Sequence, residues 1–161
     1  MTSPDKTNIH PTESYRLDEL DRKILHAYLM DARTSYRELA LKLGVSTTTV
    51  QSHTVKLEKA GVIHGYSIVL DHEKVGFQLT AITEVSVAKG KLLELEREVA
   101  KMPQVLAVYD VTGLTDAMVI AKFKGREDLS KFTKALLAMP FVERTNTHIV
   151  LTTVKEDFRL L

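Results

Sequence analysis

The chain has 161 residues, 44% of them hydrophobic, which predicts a globular protein with one medium domain or two small ones. Its 22 Lys and Arg residues are balanced by 21 Asp and Glu, and the formal net charge of +1 excludes a broad basic surface for nucleic acid. The absence of cysteine excludes disulfides and thiolate metal sites, and no apolar run reaches the roughly 18 residues that would span a bilayer.

The first fifteen residues are polar, contain two prolines and show no periodicity, which predicts a flexible tail over residues 1–15. An arm that follows DNA is the alternative, although Lys6 is the only Lys or Arg in this stretch. The N-terminus lacks the apolar core of a signal peptide, so we expect a cytoplasmic protein without membrane attachment.

A first helix is predicted to begin after Asp18, whose carboxylate can cap it at the positive end of the helix dipole. Its apolar residues keep helical spacing from Leu17 through Ile24 to Leu29. This helix should pack under the two that follow, giving a three-helix domain over residues 16–61.

Two short helices joined by a tight turn are predicted between residues 35 and 63. Ser35 and Glu38 form an S-x-x-E capping box at the start of the first of these helices. Gly44 ends it, because glycine enters the left-handed conformation without strain. Ser46 can then cap the second helix.

The spacing of three residues in this stretch is typical of a helix-turn-helix. Ala40 lets two helix backbones approach, Gly44 turns the chain, and Val50 packs between the helices. In such a motif the second helix lies in the DNA major groove. On this stretch alone, an ordinary helical hairpin that binds nothing is the alternative.

Beyond this unit the hydrophobic period changes. Residues 62–77 predict a linker strand followed by a turn, and residues 78–157 predict a separate domain. Its order βαββαβ is that of the ferredoxin-like fold, so the fold class is α+β with an N-terminal, winged-helix-like helix-turn-helix domain. The predicted elements are strand Leu79–Ala88, helix Lys91–Met102, strands Val105–Thr112 and Ala117–Lys124, helix Glu127–Met139 and strand His148–Val154.

The predicted sheet should have one face covered by the two helices and one face bare. Its strands supply more apolar residues than one face needs, so we expect the bare face to bury itself against another chain. These residues are Ile82, Val85, Val87, Val108, Val111, Val119, Ile120, Ile149 and Leu151.

In order and spacing, motifs along residues 17–157 resemble the Lrp/AsnC ("feast/famine") transcriptional regulators of prokaryotes, archaeal members in particular. The N-terminal motifs are Leu17-Asp18, Asp21, Ile24-Leu25, Asp31-Ala32-Arg33, Ser35, Leu39-Ala40, Gly44-Val45-Ser46, Thr49-Val50, Leu57-Glu58, Gly61-Val62-Ile63 and Gly65-Tyr66. The C-terminal motifs are Val111-Thr112-Gly113 with Asp116, and Val142-Glu143-Arg144-Thr145-Asn146-Thr147 before the last predicted strand.

The resemblance implies a regulator that reads double-stranded DNA with its N-terminal domain and dimerises through the sheet of its C-terminal domain. Dimers of this family commonly assemble further, often into octamers. The resemblance also implies a small effector, usually an amino acid, held between dimers. It implies no metal, catalytic residue or cofactor.

The implied effector site is lined by Gly113, Asp116, Thr145 and Thr147. Asp116 can accept hydrogen bonds from an ammonium, while the glycine amide and the two hydroxyls can donate to a carboxylate. The alternatives are that Gly113 and Asp116 serve only a hairpin turn and that Thr145 and Thr147 are strand formers.

The candidate DNA contacts lie on the second helix of the motif and at one position of the helix before it. Gln can bond adenine in a bidentate way, Ser and Thr can meet bases or phosphates, and Lys can meet phosphates. The residues are Ser46, Thr47, Thr48, Gln51, Ser52, His53 and Lys56, with Arg37 on the preceding helix.

Two features of this helix depart from the family pattern. The family typically carries several arginines around positions 51–53, where this chain has none, and Thr54 replaces an aliphatic residue on the inner face. Because His53 stands where an arginine is usual, we expect it to gain a phosphate contact on protonation and to make DNA binding pH-sensitive.

Two further functions are alternatives to a sequence-specific regulator. One is an architectural DNA-binding protein with low sequence specificity, and the other is a ligand-gated regulatory partner of an enzyme. Catalysis itself is not expected, because the chain has no phosphate-binding loop, no H-E-x-x-H motif and no cysteine nucleophile, and its six histidines lack ligand spacing.

Overall fold

A computed structural model describes residues 15–161, so the predicted tail, Tyr15 apart, lies outside the described residues. The chain forms two compact units, one from residues up to Val69 together with Asp157–Leu161, the other from Leu70–Glu156. Among the residues described, no helix combines the length and the apolar character needed to cross a membrane.

The first unit contains the three predicted helices, α1 Glu19–Met30, α2 Tyr36–Leu43 and α3 Thr47–Lys59. The predicted caps at the N-termini of α1 and α2 are confirmed. The Asp18 side chain accepts the N–H of Asp21 in a capping box, and Ser35 and Glu38 form a second one. These bonds satisfy backbone donors that have no partner within the helix.

The turn between α2 and α3 has the predicted form. Gly44 adopts the left-handed conformation with φ 67° and its N–H donates to Ala40 O, after which Ser46 caps α3. Val50 and Leu57, two turns apart on α3, are fully buried against α1 and α2. The helix-turn-helix geometry therefore follows from short-range signals that the structure bears out.

Replacing Gly44 with alanine should lower the free energy of unfolding by about 1–2 kcal/mol, because a Cβ at positive φ is strained even in open space. Gly65→Ala is the matched control, since Gly65 also has open space around its Cα but does not have a positive φ. Thermal unfolding followed by circular dichroism measures both. Equal effects at the two positions would contradict the assignment of the strain to Gly44.

The linker strand predicted between residues 62 and 70 is not formed. This segment pairs with no strand in the described part of the chain, and Ile68 and Val69 are exposed. Instead, the ring of Tyr66 packs edge-on against that of Tyr28 with centroids 5.6 Å apart, and its hydroxyl donates to Glu58 at 2.9 Å. Burial and the Glu58 carboxylate raise the pKa of Tyr66. Alternation of apolar residues indicates an extended chain but does not supply a strand partner.

The second unit has the predicted βαββαβ order. The elements are β1 Leu79–Val87, α4 Leu92–Val99, β2 Val105–Asp110, β3 Ala117–Phe123, α5 Arg126–Leu137 and β4 Val142–Ile149. The four strands form one antiparallel sheet in the order β2-β3-β1-β4.

The position of the last strand was predicted wrongly. β4 begins at Val142 and ends at Ile149, whereas the apolar pattern predicted a strand starting at His148. The run from Glu143 to Asn146 is polar because these residues lie on a strand at the edge of the sheet, where little of either face needs apolar cover. Thr145 and Thr147 therefore lie within the strand, and not before it.

The helices cover one face of the sheet. Side chains of alternate residues, among them Val85, Val119 and Phe123, form a core with Leu95 of α4 and Phe132 of α5. The intervening residues point to the opposite, open face. There Ile82 and Ile120 are register partners, and Tyr109, the register partner of Met118, is 45% exposed. Of the other apolar positions in the prediction, Val111 and Leu151 lie outside the strands.

Candidate DNA-binding and effector sites

One face of α3 is open to solvent and lines a shallow groove of about 620 Å³. The spacing of 3, 4 and 7 residues along this face places its side chains in one row. Four predicted contacts, Thr48, Gln51, Ser52 and Lys56, lie together here. The full lining is Thr48, Gln51, Ser52, Val55, Lys56, Lys59 and Ala60.

Lys56 also contacts a residue outside α3. Its Nζ lies 5.3 Å from the centre of the Tyr15 ring, within the range of a cation–π interaction. Tyr15 precedes α1 in the chain, so the segment leading into the unit orients a candidate phosphate contact. Sequence reasoning missed this pairing, since the two residues are far apart in the chain.

The remaining polar residues near the start of α3 have different surroundings. Thr47 and Arg37 are exposed, whereas the hydroxyl of Ser46 accepts the N–H of Thr49 and is bonded to the Thr49 hydroxyl at 2.8 Å. Ser46 therefore serves first as the helix cap. The buried Thr54 donates its hydroxyl to Val50 O at 2.9 Å, which explains how a polar residue is tolerated on the inner face.

His53 does not point toward the groove, contrary to the expectation of a phosphate contact. Its Nδ1–H donates to Oδ1 of Asp21 on α1 at 2.7 Å, and only 23% of its side chain is exposed. The sequence shows Asp21 and His53 32 positions apart, and nothing local indicates that they meet. The imidazole therefore lies between α1 and α3.

Asp18, Asp21 and His53 also place one oxygen or nitrogen atom each within 4.8 Å of one another, which is close enough to hold a cation. Hydrogen bonds account for all three groups. Asp18 and Asp21 cap α1 reciprocally and His53 donates to Asp21. The arrangement thus needs no ion to explain it.

The candidate effector residues are brought together in part, around the end of β1. The N–H of Asp116 donates to Val85 O at 3.1 Å, and Thr145 is the register partner of Val85 from β4. Asp116 Oδ2 accepts the N–H of Val87 at 2.9 Å, so this carboxylate also holds the strand end. Gly113, with φ 130°, lies in the exposed turn that leads to Asp116.

Thr147 lies two residues after Thr145 on β4 and on the same face of the sheet. It is the register partner of Thr83, and the two hydroxyls are 3.1 Å apart. Thr83 is fully buried, and sequence reasoning did not include it. The signal that could have identified it is the alternation of β1, in which Thr83 stands between the apolar Ala81 and Val85 on the buried face, because a buried hydroxyl needs a partner.

A polar cluster on the open face of the sheet was also missed. Glu84 of β1 bonds Asn146 and His148 of β4, each at 3.3 Å. The register of β1 and β4 places Asn146 opposite Glu84, and His148 follows on the same face. Predicting β4 to start at His148 concealed this pairing.

The architecture defines the class of protein. An exposed helix-turn-helix unit joined to a ferredoxin-like unit is the arrangement of a two-domain DNA-binding regulator. A family model described as Lrp/AsnC ligand binding domain matches residues 80–160, and one described as winged helix-turn-helix DNA-binding matches residues 17–64.

Relatives agree with both models. An uncharacterised HTH-type transcriptional regulator of Pyrococcus abyssi is 50% identical over 144 residues, covering 89% of this chain and 98% of its own. The HTH-type transcriptional regulator FL11 of Pyrococcus horikoshii is 35% identical, covering 89% of this chain and 95% of its own. The chain belongs to the Lrp/AsnC family of transcriptional regulators.

Solved structures show the same fold. A transcriptional regulator of Neisseria meningitidis, crystallised as a complex with L-Met, matches with a TM-score of 0.85 and 30% identity, over 91% of this chain and 97% of its own. AsnC of E. coli matches with a TM-score of 0.82 and 25% identity, over 88% of this chain and 97% of its own. The chain is thus a DNA-binding regulator with a ligand-binding domain.

Proposed function

We propose that this protein is a sequence-specific transcriptional regulator whose assembly and DNA affinity respond to an amino acid. The observation that carries the proposal is the exposed row of Thr48, Gln51, Ser52 and Lys56 on α3, which combines base-reading amide and hydroxyl groups with a phosphate-binding ammonium. It acts in the cytoplasm as a symmetric oligomer, a dimer that can assemble further into an octamer.

The symmetry of a dimer supports sequence specificity despite the low charge of the chain. Two recognition helices would enter successive major-groove faces, with half-sites about one helical turn apart or a multiple of that. Each copy contributes a modest affinity for its half-site. Joining two copies in one dimer makes the affinity for the full site much higher than that of one copy.

The effector part of the proposal rests on the turn before β3 and on β4. The Asp116 carboxylate accepts one backbone N–H, and a carboxylate has acceptor sites left for an ammonium. Gly113, Thr145 and Thr147 supply donors for the carboxylate of the amino acid, which is held between dimers. The L-Met complex of the Neisseria regulator supports an amino acid as the chemical class.

Fluorescence anisotropy with the DNA upstream of its own gene tests the proposal. We expect preference for this duplex over an unrelated one and a change in affinity with one amino acid of a pool. Equal, steeply salt-dependent binding to both duplexes would indicate an architectural protein. Amino-acid binding without DNA binding at low salt would indicate a ligand-gated partner of an enzyme.

Gln51→Ala and Lys56→Ala should affect DNA binding in different ways. Loss of a bidentate base contact at Gln51 should weaken the specific duplex by about 5- to 100-fold and leave the unrelated duplex unchanged. Loss of Lys56 should weaken both duplexes and reduce the slope of log affinity against log salt by about 1. Lys23→Ala, an exposed lysine on α1, is the control for charge alone. Identical behaviour of the Gln51 and Lys56 variants would contradict the assigned roles.

Asp116→Asn isolates the charge at the effector site. Asparagine keeps an acceptor for the N–H of Val87, so the strand end should stay in place while the partner of the ammonium loses its charge. We expect amino-acid affinity to fall by about 10-fold or more, from the loss of a charge-assisted hydrogen bond. Isothermal titration calorimetry measures the affinity, with Asp110→Asn as control. Unchanged affinity would restrict Asp116 to its structural role.

A further inference from the structure

The contact between α1 and the recognition helix α3 contains one buried charged group. Asp21 is fully buried, and its Oδ1 accepts the Nδ1–H of His53 at 2.7 Å. Its Oδ2 accepts the N–H of Asp18 at 3.2 Å. We name the Asp21–His53 hydrogen bond the clasp.

A buried carboxylate requires compensation, since its transfer from water into the protein interior is costly. The N-terminus of α1 and the N–H of Asp18 provide part of this compensation. His53 supplies the compensation that comes from α3. The orientation of that helix therefore depends on the hydrogen bond from His53 to Asp21. The N–H of Asp21 lowers the pKa of Asp18, and the nearby charge of His53 lowers it further.

α3 also packs against α1 and α2 through apolar side chains. Val50 and Leu57 pack into the core, and packing of this kind is non-directional. A hydrogen bond at 2.7 Å is directional and fixes the rotation of α3 about its own axis. That rotation decides where the neighbouring Gln51 and Ser52 point.

We propose that His53 is a positioning residue for DNA recognition, which holds the exposed face of α3 in register through Asp21 and does not itself touch DNA. The inference rests on the proposed function, because α3 must be the helix that reads DNA. It replaces the phosphate contact that the sequence suggested for the same residue.

The variants His53→Gln, Asp21→Asn and their combination test the clasp by anisotropy with both duplexes. We expect each single variant to weaken binding by roughly 5- to 20-fold, and the double variant to be no weaker than the worse single one. The salt slope should stay unchanged, because no phosphate contact is lost. A slope reduced by about 1 in His53→Gln, with Asp21→Asn unaffected, would restore the phosphate contact and overturn the clasp.

His53→Arg is the rescue variant. A guanidinium can donate a hydrogen bond to Asp21 as the imidazole does. His53→Arg should therefore restore most of the affinity that His53→Gln loses, with the salt slope of the wild-type protein. A salt slope raised by about 1 in His53→Arg would show that the side chain at position 53 meets a phosphate and would contradict the inference.

Amide hydrogen exchange in the free protein separates this inference from the proposed function. If the clasp positions α3, its amides should exchange faster in His53→Gln and Asp21→Asn whether or not DNA binding is specific. Absence of DNA binding with faster exchange would reject the proposed function and keep the clasp. Exchange of α3 that is the same as in the wild-type protein would reject the clasp.

Discussion

Ile120→Lys is expected to convert the proposed dimer to a monomer. Ile120 lies in the middle strand pair of the open face, opposite Ile82, while the helices cover the other side of the same sheet. Such a face is exposed in a single chain, and burial against a second copy removes its apolar area from water. A lysine at the centre of that contact would be buried without a partner in both copies of a symmetric interface.

Loss of the dimer should also weaken DNA binding. A single recognition helix binds one half-site, so we expect affinity for the full site to fall by about 100-fold or more. Sedimentation velocity gives the oligomeric state, and anisotropy gives the affinity. Leu93→Lys is the matched control, because Leu93 lies on α4 and is already 57% exposed. A dimer that persists in Ile120→Lys would place the contact between copies elsewhere.

Most of the structure of the first unit could be predicted from the sequence, because the features that define it involve residues close together in the chain. The capping boxes at Asp18 and Ser35, the left-handed Gly44 and the buried spacing of Val50 and Leu57 all involve residues within two helical turns. The caps depend on backbone groups that a neighbouring side chain can satisfy, Gly44 on the freedom of a residue without a Cβ, and the burial of Val50 and Leu57 on the helical period. The order of elements in the second unit followed for the same reason.

Pairings between distant residues could not be predicted. His53 and Asp21 meet because α1 and α3 cross, and a single sequence does not fix the angle at which they do so. The start of β4 was misplaced because Thr145 and Asn146 satisfy neither an apolar run nor an alternating pattern. The hydrogen bond from the N–H of Val87 to the Asp116 carboxylate was not predicted either, because it depends on how the strands meet.

The pair of Lys122 and Glu156 is a further long-range contact, and it supports the prediction with the second large effect. Lys122 of β3 has a side chain only 8% exposed, and its Nζ donates to Glu156 Oε2 at 2.9 Å and to Thr80 Oγ1 at 3.3 Å. Glu156 lies beyond β4 in the same unit and is 31% exposed. A carboxylate in the chain after β4 thus neutralises a lysine near the end of β3.

Glu156→Ala should lower the free energy of unfolding by about 2–3 kcal/mol, because it leaves a buried ammonium without its counter-charge. For a unit of this size the melting temperature should fall by roughly 10–20 °C. Replacing both partners with apolar residues, as in Lys122→Met with Glu156→Leu, should restore most of the stability, since no buried charge then remains. Differential scanning calorimetry distinguishes the single from the double variant.

Glu98→Ala is the control that separates burial from distance. Glu98 pairs with Lys101 at 2.7 Å, a shorter contact than that of Glu156, but both side chains are more than half exposed. An exposed pair of this kind contributes about 0–1 kcal/mol, because water already solvates both charges. If Glu156→Ala loses no more stability than Glu98→Ala, water must reach Lys122 once Glu156 is removed. The open face near the end of β3 would then be too hydrated for the proposed apolar contact with a second copy.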